Sequence, residues 1–345
     1  MKRRLRIVGG LAVLAVVALA SAVVSTQGQP ASAAPAPYSP PKTPWGDPDL
    51  QGIWPGTDSV SVPFERPERF GTRLFLTDAE LKEREEQAAK QQELDVLDFD
   101  LQKPPAEIVA LGDVGGVTSP PPHWLERGVP SRQSSLIVQP ANGRMPAMTP
   151  EGAARQKTAG GTYVKQTGFN NASELGPYDR CISRGVVGSM MPVVYNNGNE
   201  IVQSPGFVAF RNEMIHEVRI IPLDGRQPLP GDMKSYMGSS RGHFEGNTLV
   251  VRTTNLNGKT GMQGNGMMLI PSDSIVIEER FTPVSANVLQ YDVTIDDPKT
   301  WTAPWKVSFP LKRDQDYQMF EYACHEGNYA MRNTLSGSRA DEGKR

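Results

Sequence analysis

Several groups of residues in this 345-residue chain combine side chains and spacings that could do chemistry. The first is His216, Glu279 and Tyr291, each on a stretch where apolar residues recur at every second position. Over Phe207–Ile221 that alternation puts His216 on one face with Phe210, Met214, Val218 and Ile220, and leaves Arg211, Glu213, Glu217 and Arg219 on the other. Glu279 falls in with Ile275, Ile277 and Phe281, and Tyr291 with Leu289, Val293 and Ile295. If these faces line one cavity, burial raises the carboxyl pKa and lowers that of the imidazole. The His/Glu pair is then poised for general acid–base chemistry, with the phenol orienting it. The same three groups serve as well as hydrogen-bonded core partners, with Arg241 or Arg280 neutralising Glu279, and that reading is favoured because structural networks often imitate sites.

Arg241, His243 and Glu245 alternate onto one face just before a tight turn. They form either a rim for an anionic ligand or a solvated strand end, the second being favoured. His325 and Glu326 follow Cys324, and Trp301 and Trp305 lie four apart around Ala303-Pro304. The two indoles could stack a ring or a sugar, or could fasten the amino-terminal arm. Cys181 and Cys324 are the only cysteines, and in an oxidising compartment two such residues pair. The competing reading is a metal or nucleophile site at Cys324-His325-Glu326. If the disulfide forms, it holds His325 and Glu326 at a fixed point suited to binding.

Metal and nucleophile signatures are sparse. His123, His216, His243 and His325 form no HxH, HxxxH or HExxH pair, so no two of them are placed on one element as ligands. Met262, Met267 and Met268 in a Gly/Asn-rich loop could hold Cu(I), a minority reading beside a pocket-lining role. There is no Gly-rich phosphate loop.

The elements that must position these residues begin after a leader. Lys2, Arg3, Arg4 and Arg6 precede an apolar run from Ile7 to Val24, and Ala31-Ser32-Ala33 fits signal cleavage, so residues 1–33 read as a removed export signal. The chain carries 36 basic and 38 acidic residues, and 32 against 38 once the leader is gone. With no dense Lys/Arg run, nucleic acid is excluded as the main partner, and the mature form is expected not to span a membrane. Ten prolines between Pro30 and Pro67 make residues 34–76 an extended arm, whose Trp45, Ile53, Trp54, Phe64 and Phe70 require that it dock.

Residues 77–160 read as a helix opened by the Thr77–Glu80 capping box, then ordered loop, then a short helix capped by Thr149. Residues 161–337 form the β domain, and 338–345 a disordered tail. The strand-like stretches are Phe207–Ile221, Thr248–Thr254, Ser274–Thr282, Val288–Asp296, Trp305–Leu311 and Gln318–Cys324. They imply a mainly β fold, an antiparallel meander closing into a barrel or a strongly bent sheet.

The blocks Trp124-Leu125-Glu126-Arg127-Gly128, Glu213-Met214-Ile215-His216, Arg219 to Arg226, Ser240 to Val251 and Tyr322 to Tyr329 resemble a large family of exported bacterial proteins. The similarity spans most of the chain after the leader; it implies secretion and a shared fold and supplies no mechanism. The run Gly242 to Val251, with Ile277-Glu278-Glu279-Arg280-Phe281, is also similar to calycin-type (lipocalin-like) barrels. The expectation is an exported protein holding a small, partly apolar ligand. Alternatives are an enzyme using His216, Glu279 and Tyr291 for hydrolysis, hydration or isomerisation, and a cell-envelope interaction protein.

Overall fold

The computed structural model describes residues 38–96, 125–157, 168–262 and 268–343. The leader, His123, Trp124, Met267 and the last residues of the Gly258–Gly266 loop lie outside them. The order is β1 (Gly52–Ile53), α1 (Asp78–Val96), β2 (Ile137–Gln139), α2 (Pro150–Lys157), α3 (Val186–Met190), β3 (Asn199–Ser204), β4 (Phe207–Asn212), β5 (Val218–Pro222), β6 (Ser239–Glu245), β7 (Thr248–Thr254), β8 (Val276–Ser285), β9 (Val288–Asp296), β10 (Trp305–Lys312) and α4 (Ala330–Glu342).

All strand pairs are antiparallel and fall into two sheets, β1-β3-β4-β5 and β2-β10-β9-β8-β7-β6. The mainly β meander is present from β6 to β10, but no closed barrel is found among the described residues. β5 and β6 share no ladder, and the sheets pack against one another instead, with the Phe210 and Phe281 ring centroids 4.6 Å apart. Gly242 on β6 permits the close approach at this seam, since a Cβ there would lie 2.8 Å from Leu223 and 2.9 Å from Ile221. The other edges are covered by the arm and its neighbouring loop, β1 flanking β3 and β2 flanking β10.

The arm is therefore built into the fold. Leu50, Trp54, Val62 and Phe70 are buried, Gln203 Nε2 donates to Pro48 O at 3.0 Å, and Trp54 Nε1 donates to Leu50 O at 2.9 Å. The capping box forms as spaced, Thr77 N donating to Glu80 Oε2 (2.8 Å) and Glu80 N to Thr77 Oγ1 (3.3 Å). Glu80 pairs with Arg73 at 2.6 Å, which with the Thr77 amide holds its carboxyl down at about 2. Thr149 caps α2 through Gly152 N at 3.0 Å.

Three expectations are corrected. Phe207–Ile221 is two strands joined by a tight turn, with Ile215 and His216 at φ 63° and 43°. The turn inverts the alternation: Arg219 points inward, whereas Val218 and Ile220 are 54% and 63% exposed. Nothing in Glu213-Met214-Ile215-His216-Glu217 carries the Gly, Pro or Asn that marks a turn. Gln318–Cys324 is irregular chain, because its backbone is bonded to side chains and its neighbours do not form a ladder. The expected tail from 338 continues α4 to Glu342, with Ser338 buried and accepting from Phe169 N at 3.0 Å.

With β5 in this phase, Arg219 reaches Glu279 across the sheets as a two-pronged ion pair. Tyr291 donates to Glu279 Oε1 at 3.1 Å, and Arg219 Cζ lies 5.4 Å from the Phe210 ring centroid. Burial opposes the charge on Arg219, but the attraction of Glu279 outweighs it and raises its pKa; burial and Glu279 push the Tyr291 phenol well up. Breaking such a pair strands a buried charge, at a cost of about 3–5 kcal/mol, whereas apolar replacement of both partners is close to neutral. Arg219→Met is expected to lose that much stability in urea unfolding, and Arg219→Met combined with Glu279→Met to recover most of it; additive losses would mean that the pair is not a unit.

Candidate functional site

The structure brings Glu279 and Tyr291 together in the core but places His216 elsewhere. Glu279 is 0% exposed, so the predicted inward direction holds, and its neutralising partner is Arg219 rather than Arg241 or Arg280. His216 is exposed on the β4–β5 turn, with Nδ1 2.9 Å from Tyr322 O.

Arg241 donates to Ser240 O (2.7 Å) and Gln227 O (3.2 Å). His243 lies 3.2 Å from Glu245, which accepts from Arg280 at 2.7 Å, so the strand end carries a solvated Glu245–Arg280 ion pair. Trp301 and Trp305 are both fully buried, edge to face at 5.3 Å, and Phe64 of the arm meets Trp305 at 5.9 Å. Of the two roles open to the indoles, this packing fits fastening the arm. Met262 is buried and its amide donates to Met268 O at 2.9 Å. Among the described residues no three His, Cys, Asp or Glu side chains are grouped to hold a metal ion.

The disulfide Cys181–Cys324 is formed. It ties the irregular segment after β10 to the loop before α3, and that segment is held at four further points. Phe320 N donates to Glu213 Oε1 at 2.9 Å, and the Tyr317 hydroxyl lies 2.7 Å from Glu213 Oε2 and 3.1 Å from Glu126 Oε1. The Tyr322 hydroxyl meets that of Tyr178 at 2.9 Å, and His216 holds the Tyr322 carbonyl.

Two carboxylates can share one phenol only because other donors compensate them. Glu126 accepts from Thr57 Oγ1 (3.0 Å), Asn196 N (2.5 Å) and Asn197 Nδ2 (2.9 Å), and Glu213 from Asn196 Nδ2 (3.1 Å) and Gly198 N (3.2 Å). Burial, then the two carboxylates, push the Tyr317 phenol far above its ordinary value, so it remains a donor. Gly198 is required here, because a Cβ would lie 2.8 Å from both Glu213 Oε2 and Tyr317 Cε1.

Between the anchored segment and the loops carrying Tyr178 and Tyr195 runs a groove of 1310 Å³. Seven acidic residues line it and no Lys, Arg or His does. Asp314, Asp316, Glu321 and Glu326 stand exposed along it, with Tyr317, Phe320 (67% exposed), Tyr322 and Tyr178 as its aromatic surfaces. Of the sequence-derived candidates Cys324 and Glu326 line this groove; His325 lies in an adjoining depression with Arg180, Arg332 and Arg339.

The groove residues missed in sequence are Glu126, Glu213, Tyr178, Tyr195 and Tyr317. The available signal was the density of acids and aromatics from Asp314 to Glu326. Three separate stretches of the sequence, around Glu126, Glu213 and Cys324, meet at this groove.

Removing the shared phenol takes one donor from a pair of carboxylates that keep their others, a loss of about 1–3 kcal/mol for hydrogen bonding to charged groups. Tyr317→Phe is expected to lose that much in urea unfolding and to speed amide exchange at 318–323; unchanged exchange there would show that the clamp does not hold the segment.

Comparison with protein-family models, with curated proteins and with solved structures finds no match.

Proposed function

We propose that the protein is an exported binding protein that holds a small, partly apolar molecule in this groove, and that the molecule carries positive charge. The observation that carries the reading is the lining: seven acidic side chains, no basic one, and several aromatic surfaces. Aromatic faces attract organic cations by roughly 0.5–2 kcal/mol each, and a cleft of one sign concentrates counter-charge from solution. Export is supported by the leader pattern in residues 1–33 and by the disulfide, and among the described residues no helix is long and apolar enough to cross a membrane.

Binding is preferred to acid–base catalysis on the predicted trio because Glu279 is sealed from solvent by Arg219 and Tyr291, with His216 on an exposed turn. It is preferred to capture of an envelope partner by the arm because the arm spends Leu50, Trp54, Val62 and Phe70 on its own core.

Calorimetric titration with benzyltrimethylammonium tests this, beside benzyl alcohol and benzenesulfonate of similar bulk. The cation is expected to bind saturably, to weaken as salt is raised, and to weaken several-fold in Asp316→Asn combined with Glu326→Gln. Equal binding of the neutral or anionic probe, or none by the cation, would overturn the reading.

A further inference from the structure

Three arginines are enclosed, and two of them have acceptors. Arg66 donates to Ala141 O (2.6 Å) and Ser135 Oγ (3.2 Å), and Arg219 to Glu279. Arg184, 2% exposed, differs. Among the described residues its side chain makes no hydrogen bond and no ion pair, and its Nε is sealed off with no acceptor. Burial lowers its pKa, opposed by Tyr178, Tyr195, Tyr322 and Glu217. Those groups act on the guanidinium through space without bonding it: the Tyr178 hydroxyl meets those of Tyr195 (3.3 Å) and Tyr322 (2.9 Å), and Glu217 accepts from Ser189 Oγ (3.1 Å) and from the Arg184 backbone amide. An enclosed guanidinium whose Nε has no acceptor is a costly arrangement that an anion would relieve.

Arg184 also lines a cleft of 190 Å³ beneath the arm. The other walls are apolar, including Val62, Phe64, Leu136, Met191 and Pro192, apart from Ser59; Arg184 is the one charged residue among them. We propose that this cleft is a second binding site, for a small organic monocarboxylate whose carboxylate meets the Arg184 guanidinium and whose short hydrocarbon or aromatic body fills the apolar walls. A planar carboxylate matches the guanidinium fork with two parallel bonds. One negative charge neutralises one buried cation, whereas a phosphate dianion would leave a charge uncompensated. The volume lies below the roughly 300–1,000 Å³ of pockets for drug-sized molecules, which limits the body to the size of a benzoate or a short fatty acid. The cleft shares no lining residue with the groove and has the opposite charge preference, although the groove tyrosines Tyr178, Tyr195 and Tyr322 neighbour Arg184.

The test is calorimetric titration of the oxidised full chain with sodium benzoate and sodium hexanoate, beside benzamide and inorganic phosphate. At least one carboxylate is expected to bind saturably at one site, with benzamide and phosphate at least about tenfold weaker. Arg184→Gln is expected to remove that binding. Should this variant fail to fold, Val60→Trp fills the cleft from its half-exposed wall while leaving Arg184 in place, and is expected to lose benzoate while keeping benzyltrimethylammonium. No heat from either carboxylate with folded protein, benzoate binding unchanged in either variant, or equal binding of benzamide or phosphate would overturn the proposal. Because the ammonium titration reads the groove and the benzoate titration reads the cleft, failure of one is distinguishable from failure of the other.

Discussion

Arg219 and Glu279 lie on different sheets and are enclosed together, so neither charge is tolerable without the other. Their pairing fixes which face of β5 points inward, and from that phase much else follows. With Arg219 inward, Val218 and Ile220 must face solvent, and the chain between β4 and β5 must turn within Glu213–Glu217. That turn carries the residues that hold the carboxy-terminal segment: Glu213 takes the Phe320 amide and the Tyr317 hydroxyl, and His216 takes the Tyr322 carbonyl. The core ion pair and the groove wall are thus two ends of one hairpin.

A charge gradient runs through the same region. The groove is acidic on its open side, whereas Arg184 sits enclosed, with the three joined tyrosine hydroxyls and Glu217 as its polar neighbours. Burial drives Tyr178 and Tyr195 to higher pKa, so they stay neutral and do not compensate the guanidinium with charge. Glu217 is itself pushed up by burial, which weakens the one carboxylate available to Arg184. The fold thereby separates a surface suited to cations from a cleft suited to a single anion.

The sheets were largely legible in the sequence and the groove was not, for physical reasons. Strict alternation in Ser274–Thr282, Val288–Asp296 and Trp305–Leu311 reports half-buried strands directly, and it placed Glu279 and Tyr291 inward. It failed at Glu213–Glu217, because a period of two cannot register a turn built without turn residues, and so His216 was assigned the place that Arg219 occupies. The disulfide was legible because only two cysteines exist. Glu126, Tyr178, Glu213 and Tyr317 come from irregular chain at four separate places, and no local periodicity links such positions. Barrel closure was inferred from the need to hide edges, which β1, β2 and the packed sheets meet in another way.

Amide hydrogen exchange over the whole chain, with and without saturating benzyltrimethylammonium, tests the central claim that the groove is where a ligand sits. The account predicts slowed exchange at 176–181, 195–198 and 314–328, with β7 to β10 unchanged. Protection confined to another surface, such as the outer face of β3 to β5, or no change along 314–328, would contradict it.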